Sequence, residues 1–236
     1  MAVVPFALYD AFTDSAFGGS QAAVVSNAIG IDSDTRLRIA RELGFPATCF
    51  VIDCDGESIT ARFQSTEKEY SMCGHGTICL MTRMIDMGIL DWQGRDRIKV
   101  LLRIDSTLSP VDILKREDGR ALIMLDINPP SFHNTKLDTK LLANLLRIKT
   151  QDFHKSLPIE SARGDFIHLV VPVKGLEAMG RIEPDFSRLK KFCIENEIET
   201  VAVFCREVKQ PGYHIHVRDF CPAVGVAESA AAGTTN

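Results

Sequence analysis

The chain has 236 residues, 45% of them hydrophobic and 25% charged, with a formal net charge of −4. That length supplies the core of one large domain or two small ones. The acidic balance excludes the basic face that a nucleic acid or an anionic membrane would need, so the expected partner is a small molecule.

Residues 2–9 are apolar and β-permissive, and Asp32, Ser33 and Asp34 then offer caps for an amphipathic helix that stops at Gly44. Residues 48–52 and 59–64 flank an Asp55-Gly56 turn signal and predict a β-hairpin. Residues 76–88 (GTICLMTRMIDMG) are apolar nearly all round, the pattern of a helix buried on most of its surface and lying inside a sheet. Strand-like runs fill 98–127 around a Glu117-Asp118-Gly119 turn, and Asn128-Pro129-Pro130 is a strong breaker that closes the first half. In the second half, 137–146 reads as a helix, 166–173 as a strand and 186–195 as a helix after Pro184-Asp185. Residues 200–205 and 213–218 read as a hairpin around Pro211-Gly212.

The two halves repeat one order: a helix, a strand (TCFVID, then TVAVFC), a second strand (ITARFQS, then YHIHVRDF) and a small-residue Gly-Thr loop. The loops are CGHGT at 73–77 and AGTTN at 232–236. The order is that of a repeat, giving two lobes, 1–127 and 128–236, or else of two unrelated α/β segments that share strand–turn–strand grammar.

The first loop opens a helix, whose unpaired N–H groups and positive dipole end make residues 74–77 a natural carboxylate seat. Gly74 and Gly76 let the backbone approach a ligand. At the same N-terminus the helix field is expected to lower the thiol pKa of Cys73 from ~8.5 and make it a candidate base, where a buried free cysteine is otherwise a small hydrophobe. His75 reads as a general acid/base or a donor to a substrate oxygen, or else as a mere helix cap. Glu69 and Glu228 each precede a loop and read as bases with raised pKa or as solvated carboxylates.

The seven cysteines are scattered, with no C-x-x-C pair and no zinc spacing, so no metal site is expected and a reduced, cytoplasmic setting is the default. The opening MAVVPFALYDAFTD has no basic n-region, and no run approaches the ~20 apolar residues of a membrane span.

Four stretches carry a family likeness: DAFTDSAFGGSQAAVV (10–25), RELGFPATCFV (41–51), ARFQSTEKEYSMCGHGT (61–77) and VRDFCPAVGVAESAAAGTT (217–235). On these the chain resembles the phenazine-biosynthesis-like (PhzF-like) family within the diaminopimelate-epimerase and proline-racemase superfamily. The resemblance implies an α+β fold of two pseudo-symmetric diaminopimelate-epimerase-like lobes, each an antiparallel sheet curled around a central helix, with the active site in the cleft between them. It implies a cofactor-independent isomerase, often dimeric, acting on a small carboxylate or amino-acid-like substrate. His75 and Glu228 match the family's residues, Ala47 stands where relatives carry an acidic base, Ser229 replaces an aspartate and Thr234 a serine. The loop around Cys73 is closer to the racemase form, whose second cysteine would fall at Ala232.

Cys73, His75 and Glu228 are thus the expected catalytic groups, with Gly74, Gly76, Thr77, Ser229, Gly233, Thr234 and Thr235 as substrate contacts. A one-base isomerisation ranks first; a lyase reaction on a hydroxy amino acid and a catalytically silent binding homologue are the alternatives. Because the repeat places a second central helix after Asn236, a further C-terminal segment or a separate fragment is expected to complete the second lobe.

Overall fold

A computed structural model describes residues 3–231 and Gly233, and the chain divides into two compact units, Met1–Ile127 and Asn128–Asn236. The first unit runs β1 (Ala7–Ala11), β2 (Ser20–Val25), α1 (Ser33–Leu43), β3 (Ala47–Cys54), β4 (Ser58–Gln64), β5 (Glu69–Tyr70), α2 (Gly74–Asp86), β6 (Arg97–Ile104), β7 (Thr107–Lys115) and β8 (Ala121–Leu125).

Local chemistry sets these boundaries. The Asp32 carboxylate accepts from the Thr35 amide and starts α1, and Gly44 ends it at φ +71 with its N–H on the Ala40 carbonyl. Asp55 Oδ1 accepts from the amides of Glu57 and Ser58 while Gly56 takes φ +89, which closes the β3–β4 hairpin.

Among the described residues eight strands form one sheet, ordered β1-β2-β3-β4-β6-β7-β8, with β5 beside β4. The sheet is mainly antiparallel and curled, as expected, with two parallel pairs, β2–β3 and β4–β6. Their connections carry α1 and α2, and a crossover through a helix returns the chain in the same direction. Helix α1 covers one face, where Ile39 meets Val25, Phe50 and Ile52. Helix α2 touches β1, β2, β3 and β8. Since β1 and β8 are opposite ends of the strand order, the sheet curls around α2 and buries Cys79, Leu80, Met81 and Met84.

The second unit runs β9 (Ser131–Asn134), α3 (Thr139–Leu146), β10 (Glu160–Arg163), β11 (Ile167–Pro172), α4 (Leu176–Gly180), α5 (Phe186–Glu195), β12 (Thr200–Cys205), β13 (His216–Phe220) and β14 (Glu228–Ser229). Its strand order among the described residues is β14-β13-β12-β11-β10-β9, again with one parallel pair, β11–β12, joined through helices. Leu169, Val171, Val201, Val203 and Phe220 pack with Leu142, Leu146 and Leu189 of the helices. The alternate residues His168, Ala202 and Asp219 lie on the opposite sheet face.

The repeat extends to residue register. In the first unit β5 pairs with β4 through Phe63↔Tyr70 and Gln64↔Glu69; in the second, β14 pairs with β13 through Asp219↔Ser229 and Phe220↔Glu228. Glu69 and Glu228 therefore occupy equivalent positions, as do Arg62 and Arg218 two residues before the last paired position.

Candidate functional site

The strand β5 delivers the chain to α2, and side chains hold it in place. Tyr70 donates to the Pro46 carbonyl at 3.2 Å, and the Glu69 carboxylate is shared by Arg62 at 3.3 Å, Arg36 at 3.5 Å and the Gln64 amide at 2.9 Å. Glu69 is thus an anchor of the loop and not an unpartnered base.

Cys73 is the residue before α2, in extended backbone (φ −148, ψ 98). The first bond of the helix is Thr77 N–H to the Cys73 carbonyl at 2.8 Å, so the amides of Gly74, His75 and Gly76 precede any intrahelical acceptor. The Gly76 amide serves the Cys73 sulfur. The amides of Gly74 and His75 are the remaining candidates for the expected seat. Thr77, expected among the substrate contacts, sends both its N–H and its hydroxyl to the Cys73 carbonyl and is buried; its polar groups serve the helix.

The two glycines have different causes. A methyl group at Gly76 would meet Cys73 Sγ at 2.8 Å, Phe63 Cδ1 at 2.9 Å and Cys49 Sγ at 3.1 Å, whereas at Gly74 nothing lies within 4 Å. Gly76 is small because two sulfurs and a ring close on it. The open side of the loop is at Gly74.

Cys73 is 3% exposed, and burial pushes its thiol up to about 12 although the Gly76 amide opposes the shift. The expected lowering by the helix field is corrected: desolvation outweighs one terminal dipole. Burial also pushes His75 down to about 4, so the ring is neutral, and its Nδ1 lies 3.7 Å from Cys73 Sγ. Its Nε2 is buried without a hydrogen-bond partner among the described residues. Such an atom calls for a reason. Ala47 is buried on β3, beside Ala22 of β2, two residues before Cys49, whose thiol donates to the Gly76 carbonyl at 3.3 Å. The inner face near the loop therefore offers a methyl group where the resemblance places an acid.

In the second unit Glu228 is gripped by Arg218 through Nε and Nη2 at 2.8 and 2.9 Å, and Arg218 Nη1 also donates to the carbonyls of Met179 and Ile182. Glu228, expected among the catalytic groups, is held here in a two-point ion pair that ties β14 to β13. Ser229 donates to the Ala231 carbonyl at 3.3 Å and lines a cavity of about 340 Å³ with Lys209, Tyr213, His216 and Asp219. Gly233 is exposed. Thr234 and Thr235, and Ala232 at the second-cysteine position, lie outside the described residues. The sequence reading passed over Arg62 and Arg218, although ARF and VRD repeat an arginine at the same place in each half. It also passed over Lys209, which no motif marks.

The family model described as phenazine biosynthesis-like protein (PhzC-PhzF) matches residues 9–236. An uncharacterized isomerase of Bacillus subtilis is 29% identical over 229 residues, covering 97% of this chain and 76% of that one. The trans-2,3-dihydro-3-hydroxyanthranilate isomerase of Pseudomonas aeruginosa is 26% identical over 233 residues, covering 97% of this chain and 76% of that one. The crystal structure of a PhzF-family phenazine biosynthesis protein from Bacillus anthracis superposes with TM-score 0.85 at 26% identity, covering 97% of this chain and 75% of that one. The fold is accordingly the two-lobed, diaminopimelate-epimerase type, and the relatives support an isomerase-type activity. No helix among the described residues is long and apolar enough to cross a membrane.

Proposed function

This chain belongs to the phenazine biosynthesis-like family, and on that premise we propose that it is a cofactor-independent isomerase that shifts a proton within a small carboxylate-bearing, amino-acid-like substrate. The observation that carries the reading is the Cys73–His75 pair at the opening of α2, with an imidazole nitrogen that has no partner among the described residues.

The substrate carboxylate sits on the amides of Gly74 and His75 at the open side of the loop, where the helix N-terminus favours an anion. These donors withdraw charge and stabilise the carbanion formed when the adjacent C–H is cleaved. Of the two candidate bases, the imidazole is already in its proton-accepting form at neutral pH while the thiol is not. With Nδ1–H turned to the Cys73 sulfur, Nε2 presents a lone pair, takes the proton from one carbon and returns it to another carbon of the same substrate. The bound carboxylate favours the imidazolium and so strengthens this base as the substrate arrives. Cys73 orients the ring. The substrate named for the Pseudomonas aeruginosa relative, a dihydro-hydroxyanthranilate, belongs to the proposed class and heads the compounds to assay.

The decisive experiment is solvent-deuterium incorporation into a panel of cyclic and open-chain amino acids, with product analysis by mass. Exchange lost in His75→Asn and only weakened in Cys73→Ser is the expected result. Exchange that His75→Asn leaves intact overturns the assignment, and loss of water from the product reassigns the chemistry to a lyase. A second reading, a catalytically silent binding homologue, is favoured by the buried methyl of Ala47 at the acidic position and by the protonated thiol. It predicts ligand-dependent thermal shifts with no exchange in any compound.

A further inference from the structure

We infer that the second unit carries a separate site for a small organic anion, in a cavity of about 490 Å³ lined by Lys155, His154, Thr139, Thr150, Phe153 and Leu157, among others. The inference is independent of the isomerase reading and concerns residues that neither small-residue loop contains. The volume falls in the range of small-molecule sites.

Its lining is one-sided in charge. The nine residues around the cavity include a lysine, an imidazole, a glutamine amide and three threonine hydroxyls, and none is acidic. Three carboxylates adjoin the lining in sequence: Glu160 follows Ile159 at the start of β10, and the other two are engaged elsewhere. Asp138 caps α3 by accepting from the amides of Lys140 and Leu141, and Asp152 accepts from the Lys149 amide and pairs with Arg181 at 2.7 Å. Neither of these two carboxylates is directed at the site.

The histidine is set as a donor. The Ser156 amide donates to His154 Nδ1 at 3.3 Å, so Nδ1 is the accepting nitrogen and Nε2 is the one that offers an N–H. The segment is pinned before any ligand arrives: His154 N–H donates to the Pro172 carbonyl at 2.9 Å, and Phe153 bridges to Val173 at the end of the sheet. Lys155 and His154 meet the charged head, threonine hydroxyls complete its hydrogen bonds, and Phe153 and Leu157 supply an apolar wall for the body. An aromatic or branched carboxylate fits this division better than inorganic phosphate, which would leave the wall without a partner.

The test is a ¹⁵N–¹H NMR titration of the whole chain with benzoate, with benzylamine as the probe of equal shape and opposite charge. Saturable shifts at residues 135–159 with benzoate, absent there with benzylamine, are expected. Lys155→Met, a change at an exposed side chain that leaves the fold intact, should weaken benzoate by about tenfold, the loss of one charge-assisted contact. His75→Asn should leave the affinity unchanged. Absence of saturation at millimolar benzoate, equal response to benzylamine, or shifts that His75→Asn abolishes and Lys155→Met spares would each overturn the inference.

Discussion

Arg218 holds Glu228 with two N–H···O contacts, at 2.8 and 2.9 Å, just as Arg62 holds Glu69 at 3.3 Å in the matching place of the other unit. Each pair ties a two-residue strand to its neighbour immediately before a small-residue loop. The duplication identifies these glutamates as clasps.

Removing the arginine should therefore cost more than neutralising the acid. Arg218→Met breaks the pair and also strips the donor from the carbonyls of Met179 and Ile182. It should lower stability by ~2 kcal/mol, whereas Glu228→Gln, which keeps the shape and one acceptor of a partly exposed pair, should cost under ~1 kcal/mol. Urea denaturation of the two variants measures the contrast. Deuterium exchange abolished in Glu228→Gln at unchanged stability would return that carboxylate to the chemistry.

The glycines of the first loop predict opposite outcomes for the same substitution. Gly76→Ala pushes a methyl into Cys73 Sγ and the fully buried ring of Phe63, so it should lose ~1–3 kcal/mol and displace the thiol. Gly74→Ala meets open space and should fold normally, with its effect confined to ligand affinity. Melting temperatures of both variants, followed by binding of a small carboxylate, separate packing from recognition. Equal destabilisation would contradict the asymmetry.

Thiol chemistry follows burial. Cys54 is half-buried and the other six cysteines are buried, so iodoacetamide at neutral pH should label Cys54 first and leave Cys73 unmodified in the native chain. Peptide mapping after timed alkylation reads this directly. Rapid neutral-pH labelling of Cys73 would show a thiolate that its surroundings do not support.

The pH profile of stability should fall on both sides. His75 has a folded pKa of about 4 against an ordinary 6.5, so the unfolded chain binds the proton more readily and stability is lost as pH falls from ~6.5 towards 4. Cys73 is shifted the other way, to about 12 from 9.0, and stability is lost as pH rises from ~9 towards 12. Thermal melts across pH, with His75→Asn flattening the acid limb and Cys73→Ser moderating the alkaline one, check both signs. Cys79 and Cys193, also raised to about 12, keep part of the alkaline limb in Cys73→Ser.

Much of this fold was legible in the sequence because short-range signals decide it. Asp32 and Gly44 bracket α1, Asp55-Gly56 turns the first hairpin, and the all-round apolar pattern of α2 foretold its place inside a curled sheet. The strand β2, SQAAVV, went unread because its small residues carry little β signal, and it is a strand through pairing with β1 and β3. The four-residue strands β9 and β10 escaped because so short a run carries no readable alternation. The parallel pairs within the mainly antiparallel sheets went unread because parallel pairing depends on where a crossover returns. The opening of α2 at Cys-Gly-His-Gly-Thr was readable, but the protonation of its side chains was not: a helix N-terminus is visible in a sequence, whereas the depth at which a sulfur sits is set by Phe63, Cys49 and Gly76 together.

The sulfur of Cys73 rests on the packed side of the very turn whose other side is open. An oxidant in solution meets no nucleophile there, so the loop carries a cysteine without the ordinary vulnerability of one.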